Sequence, residues 1–199
     1  MKTKKNFSSI IVLCLIVTGL MFLLPASPLN AEKPTKPPEA NRMNPDHAPT
    51  PFSAAEIRKG CPNGRTSKYL IEVAGNPNSF QVVSFVNGDK DGTGFESITM
   101  GHEGKQVGEK QAAEARWDEL QYHASFPEAD TLISSDPYTT PAGEFDCWHY
   151  EVNKEKEGKK EVAHYWFAKS LPGAPIYMEQ ILDGKPVFKM TLVENTIKK

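Results

Sequence analysis

The chain has 199 residues, 25 acidic against 23 basic, a formal net charge of −2 and only three cysteines, with 16 prolines and 14 glycines. Without the three lysines of its first 31 residues the charge falls to −5, so the basic footprint that nucleic-acid binding requires is absent. The length allows one ordinary domain, and no stretch carries the Gly-rich loop of a nucleotide-binding site.

Lys2, Lys4 and Lys5 precede an apolar run from Ile10 to Leu24, and small residues lead to Ala31 ahead of Glu32. This order is that of a secretory signal peptide over residues 1–31. The apolar run is short of the roughly 20 residues of a spanning helix, so no stable membrane anchor is expected after cleavage. Export to the periplasm or the extracellular medium follows. Residues 32–52 hold Pro34, Pro37, Pro38, Pro45, Pro49 and Pro51 among few large apolar side chains, the composition of a poorly ordered leader. Residues 53–199 are then a single globular domain. It opens with Ser53-Ala54-Ala55-Glu56, a capping box for a short helix that Gly60 would stop.

Cys61 and Cys147 are the thiols left after the leader. In an exported chain two cysteines suggest one disulfide, which on the chain-entropy model would stabilise the fold by about 4 kcal/mol; two separately buried thiols are the alternative.

From Ser67 on, SKYLIEVA, FQVVSFV and FESITM are separated by Gly, Asn and Asp clusters, as in an antiparallel meander. Over residues 110–124 the alanines and the spacing of Trp117, Leu120 and Ala124 predict one substantial helix, with Gln106 to Gln111 open to a strand reading ahead of it. Beyond it, a turn at Glu157-Gly158 sets Trp148 against Phe167, Tyr150 against Tyr165 and Val152 against Ala163. A second turn at Asp183-Gly184 sets Tyr177 against Met190, Glu179 against Phe188 and Ile181 against Pro186. The segment Lys169 to Pro175, KSLPGAP, joins the two hairpins as a shaped corner.

The runs TTPAGEFDCWHYEV, HYWFAKSLPGAPIYMEQ and GKPVFKMTLVE resemble exported bacterial proteins of the TapB-like group, similar in turn to the LolA and LolB lipoprotein carriers. The resemblance covers about Tyr138 to Glu194. It implies a mainly β (α+β) fold, an antiparallel, incompletely closed curved sheet or half-barrel with one helix packed on it, and no catalytic residues.

Catalytic signatures are few. His102-Glu103 begins a zincin-like window, but Gln106 stands where a second histidine is needed. His149 and His164 would be diagonal neighbours on one face of the first hairpin, able to titrate or bind a metal together, although alternating histidines on an outer sheet face need no such role. His123 suits a helix end. Glu179 beside Phe188 must reach a cation, a donor or water, with Lys169 and Lys189 as partners. The aromatic face of Trp148, Tyr150, Tyr165 and Phe167, continued by Tyr177, Phe188 and Met190 under a helix carrying Trp117, is either packed core or the lining of an apolar pocket.

The expectation is therefore a non-enzymatic exported binding protein, without cofactor or metal, holding a lipid-like or other apolar molecule. Its candidate ligand-binding residues are Trp117, Trp148, Tyr150, Tyr165, Phe167, Tyr177, Glu179, Phe188 and Met190. The alternative is a protein-interaction module, an inhibitor or envelope-assembly factor with a fully packed core and an envelope protein as partner.

Overall fold

The computed structural model describes residues 35–156 and 158–198, all within one compact unit, Lys33–Lys199. The expected signal peptide lies outside the described residues. Among these, no helix is long and apolar enough to cross a membrane.

Nine strands form one antiparallel sheet: β1 (Arg65–Val73), β2 (Ser79–Val86), β3 (Gly92–Gly101), β4 (Gln106–Arg116), β5 (Thr131–Thr140), β6 (Gly143–Lys156), β7 (Lys159–Ala168), β8 (Tyr177–Leu182) and β9 (Lys185–Ile197). Their order is β4-β3-β2-β1-β9-β8-β7-β6-β5, so the sheet curves without closing and β4 and β5 are its edges. Two helices, α1 (Ala54–Gly60) and α2 (Trp117–Tyr122), accompany it. The capping box that starts α1 is present, with the Ser53 side chain accepting from the Glu56 amide and the Glu56 carboxylate accepting from the Ser53 amide at 2.8 Å. The β6–β7 ladder pairs Trp148 with Phe167, Tyr150 with Tyr165 and Val152 with Ala163, as the alternation predicts.

Alternation divides the core between the two faces of the sheet. On the helix-covered face, Phe52, Ile57, Trp117, Phe126, Trp148, Tyr150, Val152 and Phe167 pack together. Cys147 and Ala168 point to the other face, and a second cluster joins them with Tyr69, Ile176 and Leu192.

Four expectations change. The Pro-rich segment is packed from Pro37 onward, and Ala48, Thr50 and Phe52 are buried. Proline lacks a donor but keeps its carbonyl: Tyr150 donates to Pro49 O at 2.6 Å, while Gln121 Nε2 donates to Asn41 O at 3.2 Å and Thr50 Oγ1 at 3.0 Å. The segment also answers Ala48 N with Phe126 O at 2.9 Å and ties Arg42 to Glu128 at 2.8 Å.

The alanine-rich stretch is mostly strand. β4 runs to Arg116 and pairs along β3, leaving helix only over Trp117–Tyr122. Alanine's helix preference amounts to tenths of a kcal/mol per residue, less than a ladder of backbone hydrogen bonds secures, and the ladder prevails.

Cys61 and Cys147 are both free and buried. They belong to different clusters: Cys61 follows α1 on the helix-covered face, whereas the alternation of β6 aims Cys147 to the face opposite Trp148.

The β8–β9 hairpin turns where expected, with positive φ at Asp183 (47°) and Gly184 (75°), and Ile181 faces Pro186. The register then shifts between Gln180 and Ile181, beside a proline that cannot donate to a ladder. One extra residue on β9 exchanges every subsequent partner. Tyr177 faces Thr191, Met178 faces Met190, and Glu179 faces Lys189.

Candidate functional site

The helix-covered face is not packed throughout. Between α1, α2 and the sheet lies a cavity of about 260 Å³ with a predominantly apolar lining. α1 contributes Ile57, and Cys61 follows at its C-terminal end; β2 contributes Phe85. Leu120 of α2 and His123, Ala124 and Phe126 beyond it form a second wall. The floor is Tyr165 and Phe167 of β7, Met178 of β8 and Met190 of β9, and the corner Gly173-Ala174-Pro175 closes one side. Phe85, Leu120, Tyr165, Met178 and Met190 are only half-buried, so large apolar side chains are left without full partners around this space. Clefts of about 390 and 490 Å³ flank α2, but they are open and bordered by carboxylates such as Glu114 and Glu119.

Burial pushes the Tyr165 hydroxyl up, with Glu161 adding to the effect. Burial also raises the Cys61 thiol, against the opposing pull of the Arg65 guanidinium, whose Nη1 lies 3.2 Å from Sγ. His123 sits exposed at the rim.

Of the nine residues expected to bind ligand, Tyr165, Phe167 and Met190 line this cavity. Trp117, Trp148 and Tyr150 are core: Trp117 donates its indole N–H to Asp89 O at 3.0 Å and the Trp148 ring carries Lys169 Nζ at 3.9 Å from its centroid. Phe188 lies away from it, near Val73 at the end of the β1–β9 ladder. Tyr177 and Glu179 are moved by the bulge to the opposite face, where Glu179 pairs with Lys189 at 3.2 Å and Tyr177 stacks on Tyr138 at 4.7 Å. Met178, a lining residue that sequence reading did not single out, was hidden by the same one-residue shift. The signal available was Pro186, a proline placed just after the turn in a strand that must otherwise pair on both sides.

The opposite face gathers His149 and His164 as expected. One ring donates to the other across 3.1 Å between His149 Nε2 and His164 Nδ1. Trp166 stacks on His149 at 3.9 Å, nearly parallel, and Asp136 Oδ2 lies 3.5 Å from His149 Nδ1. Burial, and then the neighbouring His164, hold His149 below the usual imidazole range, while Asp136 and Glu151 oppose them. Among the described residues no group of three His, Cys, Asp or Glu side chains is arranged to hold a metal ion.

No family model and no curated protein matches the chain. Two solved structures are similar. One, a candidate lipoprotein from Parabacteroides distasonis ATCC 8503, is 13% identical over 74% of this chain and 98% of its own, with a TM-score of 0.48. The other, MucB in complex with MucA(peri), is 8% identical over 72% of this chain and 55% of its own, with a TM-score of 0.46. These are likenesses in outline and establish no family, so the resemblance to the TapB-like group stays a likeness of residues 138–194.

Proposed function

We propose that this chain is an exported binding protein that holds a small apolar molecule, or one alkyl chain of a lipid, between its helices and the curved sheet. The observation that carries this reading is the cavity of about 260 Å³ ringed by half-buried Phe85, Leu120, Tyr165, Met178 and Met190. Methionine and aromatic walls adapt to varied apolar shapes, and their exposed area is what a ligand would remove from water. The charged, apolar and small-residue order of residues 1–31 supports export.

Strand addition by a protein partner is less well supported. Edge strand β4 is exposed at all but one residue, yet it bulges after Gly108 and presents Glu109, Lys110, Glu114 and Arg116. Edge strand β5 contains Pro137. Charges, bulges and proline are the devices that discourage edge pairing.

Native mass spectrometry of the protein purified from its export compartment, followed by organic extraction, tests the proposal. A stoichiometric apolar adduct, or uptake of a hydrophobic fluorophore that Leu120→Trp suppresses while the circular dichroism spectrum is kept, is the expected result. An apo mass together with no fluorophore uptake would overturn it and turn attention to the interaction-module alternative.

A further inference from the structure

Arg65, the first residue of β1, is 2% exposed, and among the described residues no carboxylate pairs with it. A guanidinium stays charged at any ordinary pH, and a buried charge is strongly unfavourable unless something answers it. Part of the answer is visible. Nε donates to Asn195 Oδ1 at 3.0 Å, and Nη1 donates to Gly60 O and Pro172 O at 2.6 Å each, with Cys61 Sγ at 3.2 Å. These bonds tie the end of α1 and the corner before Gly173 to β9, and they give Arg65 a structural role.

They leave Nη2 unused. A guanidinium has five donors, and no acceptor in the described residues meets the two on Nη2. Because no fully buried side-chain nitrogen among the described residues lacks a partner, Nη2 must border space that a small atom can enter. The cavity adjoins it: Arg65 is not itself among the lining residues, but Cys61, Gly173 and Phe85 are, and Arg65 lies against the first two with its guanidinium carbon 6.0 Å from the Phe85 ring centroid. Gly173 has φ +130°, and a Cβ there would sit 3.1 Å from Cys61 Sγ, 3.6 Å from Nη1 and 3.9 Å from Nη2. The missing side chain at Gly173 is therefore what leaves the guanidinium within reach of the cavity.

Resting on the apolar-ligand reading, we infer that the ligand is an anionic amphiphile whose tail lies over Met178 and Met190 and whose acidic head group accepts from Arg65 Nη2 beside Gly173. An acidic head satisfies the two open donors and supplies the missing counter-charge at once, which neither a neutral nor a cationic head does.

The probes are decanoate, decanol and decyltrimethylammonium, titrated calorimetrically into wild-type protein at neutral pH with the methionine methyl groups labelled for NMR. Decanoate should bind about tenfold or more tightly than decanol, with the cation weakest, the margin expected of hydrogen bonds to a charged group. The Met178 and Met190 methyl resonances should move while those of Met43 and Met100 stay in place. Arg65→Gln should bring decanoate and decanol to similar affinity; because the ranking is measured on wild type, it decides the matter even if that variant does not fold. Equal binding of decanoate and decanol with the methyl shifts present would overturn the head-group inference and leave the pocket intact. So would a decanoate preference that survives Arg65→Gln or leaves both methyl groups unmoved. No binding of any probe would overturn the pocket as well.

Discussion

The hydroxyl of Tyr150 donates to the carbonyl of Pro49 at 2.6 Å, and the ring above it is fully buried against Phe126 and Phe167. A residue of β6, one strand in from the edge of the sheet, is thus completed by a segment whose composition suggests a tether. Tyr150→Phe keeps the ring contacts and strands a buried carbonyl, so it should lower the unfolding free energy by about 1–3 kcal/mol in urea titrations. Deleting residues 32–52 should lower it by more, because Gln121 and Phe126 lose partners in the same step. Unchanged stability in the truncated chain would mean that the segment is a passenger.

The free thiols give a second expectation. Denaturation without reductant followed by alkylation should add two groups to the mature chain, and dithiothreitol should leave its melting temperature unchanged. In the native protein Cys147 should alkylate very slowly at pH 8, since burial, with Asp146 adding to it, pushes its thiol up to about 12. An oxidised mass about 2 Da below the reduced one, the loss of two hydrogens, would show that the chain rearranges to join Cys61 to Cys147.

Local chemistry explains what the sequence made legible. The β6–β7 pairing follows from alternating aromatics on either side of Gly158, the helix start from Ser53 and Glu56, and the second turn from Asp183-Gly184. What escaped was decided by partners distant in the chain. Pro49 finds Tyr150 across 101 positions, and Arg65 finds Asn195 across 130. The alanines of β4 join an edge because β3 offers a ladder, and the bulge beside Pro186 exchanges Tyr177 for Met178 on the pocket face. The candidate site was half legible for that reason: Tyr165 and Phe167 lie on the hairpin whose register is set locally, whereas Cys61, Phe85 and Gly173 converge only in three dimensions.

His149 makes stability depend on pH in a predictable direction. Its folded value lies below the unfolded one of about 6.5, because burial and then His164 disfavour its charged form. Between the two values the unfolded chain binds more protons, so the unfolding free energy rises with pH there. The contribution of His149 is therefore fully present above about pH 6.5 and is lost as pH falls through the lower, folded value. Asp136 and Glu151 act the other way and soften the loss without reversing it. His149→Phe keeps a flat ring to stack on Trp166 and removes the titration. Calorimetric melting temperatures from pH 8 to pH 5 should fall more steeply in wild type than in His149→Phe, and parallel curves would show that this histidine pair carries no part of the acid sensitivity.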